Sequence, residues 1–89
     1  MKVKYIDFSR ARPSKTGKTS IWRCIAINRL GLRYCLGEIR WAAPWRRYAY
    51  FPLPFTVYEK DCLRTIADFV DERTTRHRKR LAKKRRELR

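Results

Sequence analysis

Residues 21–42 read IWRCIAINRLGLRYCLGEIRWA, and this stretch decides the fold class. Its first eight residues form an apolar run of strand length that is rich in β-branched side chains, so they predict a strand. The next three residues predict a tight turn, because Gly31 can adopt a positive φ. The remainder predicts a second strand, in which Gly37 indicates a bulge or a close backbone approach. Strands joined by so short a turn pair antiparallel.

Further strands are predicted on either side of this pair. Residues 3–8 are rich in β-branched and aromatic side chains, and residues 45–51 (WRRYAYF) form an aromatic run that ends at Pro52. Residues 9–20 are polar and basic, contain one Pro and one Gly, and predict a loop. Both faces of the 45–51 strand carry aromatic residues, so we expect one face to cover the core and the other to meet a ligand or partner.

Helical periodicity replaces the strand pattern over residues 57–73. Thr56 and Glu59 have the spacing of a capping box, with Thr56 as the N-cap. Apolar residues at helical spacing predict the buried stripe: Leu63, Ile66, Ala67 and Val70. The stripe fades beyond Val70, and the β-branched Thr74–Thr75 pair predicts a looser junction there. The expected fold is α+β: a small antiparallel sheet of three or four strands, packed on one C-terminal helix that extends as a basic arm. The expected domains are a compact unit over residues 1–72 and a basic helical extension over residues 73–89.

Charge is concentrated in that extension, RTTRHRKRLAKKRRELR. It holds ten Lys or Arg against one acid, Glu87, in a chain of 89 residues with a net charge of +16. A helix this basic repels itself unless it lies beside a polyanion or is anchored to a folded body. The pattern therefore indicates nucleic acid, either DNA or RNA, as the partner.

The candidate nucleic-acid-binding residues fall into two groups. Nine lie on the extension: Arg73, Arg76, Arg78, Lys79, Arg80, Lys83, Lys84, Arg85 and Arg86. The others belong to a central cluster of Arg and aromatic residues: Arg40, Trp45, Arg46 and Arg47. Arg can contact phosphate or guanine in a bidentate manner, and Trp can stack on unpaired bases. Alternatively, the Trp residues fill the core and the Arg residues only solvate the far face of the sheet.

The loop sequence TGKTS at residues 16–20 ends like a phosphate-binding P-loop. The first glycine of that motif would fall at Arg12, and the residues that follow predict a strand instead of a helix, so nucleotide hydrolysis is rejected. The cations of the loop could still touch a backbone phosphate: Arg10, Arg12, Lys15 and Lys18. No Ser/His/Asp arrangement predicts catalysis. The acids Asp68, Asp71 and Glu72 are better explained as a solvated helix face, since Glu72 and Arg76 have ion-pair spacing. We expect no enzymatic activity and no cofactor.

The number and spacing of the cysteines indicate the redox state of the compartment in which the protein resides. Cys24, Cys35 and Cys62 are an odd number without CxxC spacing, so we expect three buried thiols in a reducing interior and no disulfide framework. His77 is the single histidine and suggests no zinc site. No apolar run has the length of a membrane span, and the first residues lack the apolar core of a signal peptide. The expected location is the cytoplasm, with no membrane partner.

Residues 36–70 resemble a group of small bacteriophage and prophage proteins. The shared pattern is a Gly-x-Ile-x-Trp strand, then Pro-Trp-Arg-x-Tyr, a Phe-Pro pair and a helix that begins near a Thr. The matching residues here are Gly37, Ile39, Trp41, Pro44, Trp45, Arg46, Tyr48, Phe51, Pro52 and Thr56. The resemblance covers roughly 35 of the 89 residues and implies a phage origin. The segment after Glu72 is longer and more basic than the pattern requires.

Three functions remain open on this basis. The first is a non-enzymatic nucleic-acid-binding protein. The second is a phage-encoded inhibitor of a host defence complex, for example an anti-CRISPR, that binds a host protein or ribonucleoprotein; small size and exposed aromatic residues permit it. The third is a structural protein of the ribosome or another ribonucleoprotein, which three Trp in 89 residues make less favourable.

Overall fold

Four strands and one long helix make up residues 5–88, the part of the chain that the computed structural model describes. In chain order the elements are β1 (Tyr5–Pro13), β2 (Ser20–Ile27), β3 (Arg33–Ala42), a 3₁₀ turn (Ala43–Trp45), β4 (Arg47–Pro52) and α1 (Lys60–Glu87). The strands form one antiparallel sheet in the order β1-β2-β3-β4, and α1 packs on one face of it. The predicted α+β fold is confirmed.

Strand β1 is longer than predicted. It continues to Pro13, whereas a loop was expected from Ser9 onward. A bulge between Arg10 and Arg12 absorbs one extra residue, and the strand beyond it still pairs with the start of β2. The connection therefore shrinks to residues 14–19, and its cations lie on a hairpin instead of a long loop. The predicted start of this strand at Val3 lies outside the described residues.

Gly37 was predicted to mark a bulge or a close backbone approach, and the structure shows both. The pairing of β2 with β3 shifts between Cys24 and Ile25, so one residue of β3 is left over beside Gly37. A Cβ atom at Gly37 would lie 2.5 Å from the carbonyl oxygen of Phe51. Only glycine lets β4 approach so closely. The turn at Gly31 is also confirmed, with a φ of 80°.

The core lies between the sheet and α1. Its buried members come from β2, β3, β4 and the helix: Cys24, Ala26, Leu36, Ile39, Tyr48 and Ile66. Aromatic rings extend it, since Phe8 of β1 stacks on Phe69 of α1 with centroids 3.9 Å apart. Trp22 and Trp41 also pack against this core, which agrees with the alternative interpretation that the Trp residues fill the core. Trp45 does not, because it is 67% exposed.

The start of the helix differs from the prediction. Helix α1 begins at Lys60, and Glu59 is its N-cap, accepting a hydrogen bond from the backbone N–H of Cys62. Thr56 does not cap the helix; its hydroxyl donates to the carbonyl oxygen of Leu53. The Tyr58 hydroxyl donates to the carbonyl oxygen of Leu36, which fastens the connection to the sheet. The chain therefore stays extended for three more residues than predicted.

The buried stripe of α1 is also shifted. Ile66 is buried as predicted and Val70 packs against the core, but Leu63 is 52% exposed and Ala67 is exposed. The stripe does not fade at Val70, because Thr74 and His77 are buried. Polar residues with partners can occupy a buried stripe, and a pattern of apolar residues alone does not detect them. The helix thus contacts the sheet as far as His77.

Thr74 joins the helix to β4 instead of loosening it. Its Oγ1 accepts a hydrogen bond from the backbone N–H of Tyr48, 3.0 Å away, and donates to the carbonyl oxygen of Val70. The N–H of Tyr48 belongs to an edge strand, where donors are otherwise unpaired. The Thr74 hydroxyl therefore provides an acceptor for this backbone donor and ties the last anchored turns of α1 to β4.

The three cysteines are free thiols in different surroundings. Cys24 is buried, and burial raises the pKa of its thiol to about 11. Cys62 is half-buried, and Cys35 is exposed. The prediction of three buried thiols is therefore wrong for Cys35, which lies on the bulged, open part of β3.

Candidate nucleic-acid interface

The last turns of α1 project beyond the sheet as a cationic arm, which we define as residues 78–88. All of its side chains are exposed. Within residues 5–88, no ion pair involves a residue beyond Arg76. The arm contains seven of the predicted site residues: Arg78, Lys79, Arg80, Lys83, Lys84, Arg85 and Arg86. Their charges thus remain available to an external anion.

Two predicted residues at the base of the arm are engaged with the body. The guanidinium of Arg73 lies 4.7 Å from the centroid of the Trp22 ring and 5.3 Å from that of Phe69, and the side chain is 19% exposed. Arg76 pairs with Glu72 at 2.7 Å, which confirms the predicted ion pair. Arg73 therefore contributes mainly to packing and cation–π contact, while the charge of Arg76 is partly compensated.

The turn between β3 and β4 lies beside the arm. Arg78 donates from its Nη2 to the carbonyl oxygen of Arg46, 3.0 Å away. Arg46 has a φ of 53°, in the left-handed region, and ends the 3₁₀ turn. Trp45 is exposed next to it and borders a shallow hollow with Arg47. The structure thus places Trp45 and Arg46 beside the arm. Arg47 follows them at the start of β4, where it precedes the core-facing Tyr48, so its side chain lies on the opposite face of the sheet.

Arg40 does not join this group. It alternates along β3 with Ile39 and Trp41, which face the helix, so it lies on the opposite face of the sheet. Its Nε is 3.6 Å from a carboxylate oxygen of Glu38, and its guanidinium lies 4.0 Å above the ring of Phe51. Glu38 also pairs with Arg12 at 3.1 Å, so its carboxylate compensates the charge of Arg40 only in part.

The β1–β2 hairpin loop faces the arm across a cleft of about 980 Å³. The loop contributes one wall, the arm contributes the other, and Trp41 and His77 lie between them. The lining residues are Thr16, Gly17, Lys18, Thr19, Trp41, His77, Arg80, Leu81, Lys83, Lys84 and Glu87. The sequence identifies Lys18 as a loop cation but does not predict that the loop faces the arm, because that arrangement depends on the orientation of α1 across the sheet.

The hairpin loop is held by its own hydrogen bonds. The backbone N–H of Gly17 donates to the carbonyl oxygen of Ser14, that of Lys18 to the hydroxyl of Thr16, and that of Thr19 to the hydroxyl of Ser14. Three consecutive backbone donors are therefore used within the loop. A phosphate-binding P-loop needs such donors to point at its ligand, whereas the N–H groups of Gly17, Lys18 and Thr19 are bound to partners within the loop.

His77 closes the base of the cleft. Its ring lies 4.7 Å from that of Trp41 and 6.2 Å from that of Tyr48, measured between centroids. Burial lowers the pKa of His77 below 6.5, and the nearby charge of Arg80 lowers it further. The imidazole is thus neutral at pH 7. No sequence signal distinguished this histidine from the surrounding cations.

Comparisons with known proteins do not assign the chain. No model of a protein family, no curated protein and no solved structure matches it. Among residues 5–88, no three His, Cys, Asp or Glu side chains are grouped as a metal ion would require. The same residues contain no helix that is long and apolar enough to cross a membrane.

Proposed function

We propose that this chain is a non-enzymatic nucleic-acid-binding protein that grips phosphates with the arm and with the two turns beside its base. One observation carries the proposal: the hairpin loop, the β3–β4 turn and the arm converge at one end of the sheet. No acid in residues 5–88 forms an ion pair with a cation of the arm. Such a concentration of unpaired positive charge attracts a polyanion and gains free energy by releasing its counterions.

The proposed contact residues differ slightly from those predicted from the sequence. Lys18 joins them because it lines the cleft, and Lys15 lies in the same exposed loop. Arg73 makes no primary contact because Trp22 and Phe69 cover it, and Arg40 makes none because it lies farther along β3 on the face opposite the helix. The retained set is Lys15, Lys18, Trp45, Arg46, Arg47, Arg76, Arg78, Lys79, Arg80, Lys83, Lys84, Arg85 and Arg86.

A phage origin and a site of action in the cytoplasm of the host belong to the same proposal. The resemblance of residues 36–70 to small phage proteins supports the origin. Both DNA and RNA are present in that compartment. No reaction is proposed: the cleft is lined by one imidazole, His77, and one carboxylate, Glu87, and no hydrogen bond joins the two side chains.

The test is a fluorescence-anisotropy titration of labelled DNA and RNA at several salt concentrations. One variant replaces three cations of the outer arm with glutamine: Lys79→Gln, Lys83→Gln and Arg86→Gln. A matched control removes the same charge from the opposite end of the molecule: Arg29→Gln, Lys60→Gln and Arg64→Gln. Each lost phosphate contact should lower the slope of log K against log salt by about 0.9 for duplex DNA.

The expected result is a steep salt slope that the arm variant reduces and the control variant leaves almost unchanged. Equal effects of the two variants would show only a general response to net charge. No salt-sensitive binding to any DNA or RNA would overturn the proposal.

A second candidate is the inhibitor of a host defence protein or ribonucleoprotein. The observation that favours it is four exposed apolar side chains in or just after the β4–α1 connection: Leu53, Phe55, Val57 and Leu63. Exposed apolar groups of this kind often mark protein contacts. This function predicts weak binding to free nucleic acid and one host complex that co-purifies at fixed stoichiometry. Weak binding without such a complex would exclude it.

A further inference from the structure

The cations of the arm surround the helix instead of forming one stripe. At about 100° per residue, Arg78 and Arg80 point to nearly opposite sides, about 200° apart. Lys79 and Arg86 lie on the outer side of the arm, Lys84 lines the cleft, and Lys83 borders both surfaces. A flat row of phosphates can meet only one side of such a helix. A groove with phosphates along both walls can meet all of its sides.

The dimensions of the arm fit one such groove. Eleven residues, 78–88, span about 16 Å at 1.5 Å per residue, and an α-helix with its side chains is about 10–12 Å wide. The major groove of B-form DNA is about 12 Å wide and admits a helix. The major groove of A-form RNA is deep and narrow, and single strands offer one line of phosphates.

Basic elements flank the base of the arm on both sides. On one side the hairpin loop faces Arg80 across the cleft, which Lys18 lines, and Lys15 lies in the same exposed loop. On the other side the β3–β4 turn, with Arg46 and Arg47, receives the hydrogen bond from Arg78. Arg78 and Arg80 project to opposite sides of the helix, so the two elements lie on opposite sides of it.

We infer that the arm enters the major groove of double-stranded DNA, with the hairpin loop on one phosphate backbone and the β3–β4 turn on the other. This inference rests on the proposed function and names its ligand class. The sheet is too broad to follow the helix into the groove, since the molecule is 24 Å across its two shorter dimensions. The body therefore stops at the mouth of the groove, where its two basic elements meet the backbones that border it.

The first experiment compares four ligands of equal length with the full chain: duplex DNA, duplex RNA, single-stranded DNA and single-stranded RNA. Two further duplexes carry modified cytosines. Glucosylated 5-hydroxymethylcytosine fills the major groove without changing the phosphate charge, and 5-methylcytosine adds only a methyl group. We expect duplex DNA to bind at least tenfold more tightly than the other three ligands. Glucosylation should weaken binding at least tenfold, and methylation should change it less than threefold.

The outcomes separate this inference from the proposed function. Salt-sensitive binding that is equal for the glucosylated duplex, or stronger for single strands or RNA, overturns groove insertion and leaves nucleic-acid binding in place. No salt-sensitive binding to any of the ligands overturns both.

The second experiment tests the two-sided contact. One variant carries Lys15→Gln and Lys18→Gln, and another carries Arg46→Gln and Arg47→Gln. The carbonyl oxygen of Arg46, not its side chain, accepts the hydrogen bond from Arg78, so that contact survives the substitution. Arg29→Gln with Lys60→Gln is the matched control at the opposite end, and circular dichroism checks that each variant is folded.

Each of the two variants should lower the salt slope on duplex DNA by between about 1 and 2, because each removes up to two phosphate contacts. The control should leave the slope unchanged. A loss in one variant but not in the other means contact with a single backbone and overturns the two-sided geometry.

Discussion

The two ends of helix α1 differ in their exposed side chains. Apolar side chains precede its N-terminal end, whereas cationic side chains cover its C-terminal end. Phe55 is fully exposed and Val57 is 91% exposed just before the helix, and Asp61 lies in its first turn. The last turn instead holds Lys84, Arg85 and Arg86. Both sets of charges suit the helix dipole, which favours acids at the start and bases at the end.

Between these ends the helix is held by the sheet. Ile66, Thr74 and His77 are buried, and this middle part separates the two exposed surfaces. The separation matters because a polyanion at the C-terminal end and an apolar partner at the N-terminal end would not compete for the same residues. Stability should depend on the middle, and nucleic-acid binding should depend on the C-terminal end.

The largest effect is expected from Ile66→Ala. Ile66 is 4% exposed and belongs to the core cluster, so its truncation should lower the free energy of unfolding by about 2–5 kcal/mol. Leu63→Ala, at a 52% exposed position on the same helix, is the control and should cost much less. Urea unfolding measures both. Equal losses would mean that the N-terminal end packs as firmly as the middle.

Thr74→Val should be the next most damaging change. It keeps the shape of the side chain but leaves the backbone N–H of Tyr48 without its acceptor, at a cost of about 1–3 kcal/mol. Thr75→Val is the matched control, because Thr75 is exposed and adjacent. If urea unfolding shows no difference between the two variants, the helix is not joined to β4 through this hydroxyl.

His77 should make stability depend on pH. Burial lowers the pKa of His77 below 6.5, so the unfolded chain binds the proton more readily than the folded chain. The folded state should keep its full stability above about pH 7. It should lose some stability as the pH falls through 6.5 toward the pKa that His77 has in the folded protein. The chain has one histidine, so a variant without it shows how much of the pH dependence between about pH 7.5 and 5.5 comes from this imidazole.

The measurement is urea unfolding across that window, with His77→Gln as the control. The variant should show a flatter pH profile than the natural chain. Stability that stays constant or rises as the pH falls in the natural chain would contradict the burial of a neutral imidazole at the base of the arm.

The sequence predicted the elements better than it predicted their junctions. Strands β2 and β3, the turn at Gly31 and the close approach at Gly37 follow from local patterns, and all are confirmed. The capping box at Thr56 failed because a tertiary hydrogen bond from Tyr58 to the sheet delays the helix. No local pattern contains that bond.

The candidate site, too, can be predicted from the sequence only in part. The charge of the arm can be read directly from its composition. The cleft cannot, because it forms only when the hairpin loop and the arm meet across the end of the sheet. The exclusion of Arg40 depended on strand register, and the covering of Arg73 depended on the packing of Trp22 and Phe69 against α1. Polar residues of the buried stripe, such as His77, escaped a search for apolar periodicity.

The smallest effect concerns the apolar end, and its sign is informative. Phe55 has a φ of 62°, in the left-handed region that is unfavourable for a side chain, while its ring is fully exposed. Phe55→Gly should relieve the strain without loss of packing, and the flexibility of glycine in the unfolded chain offsets part of the gain. The net change should be a stabilisation of at most about 1 kcal/mol. Val57→Gly, at an exposed position without a positive φ, should destabilise slightly. If Phe55→Gly instead destabilises the protein, and more so at higher protein concentration, then the ring is buried against a second copy in solution. The N-terminal end of α1 would in that case be an interface, with a partner independent of the one that the arm binds.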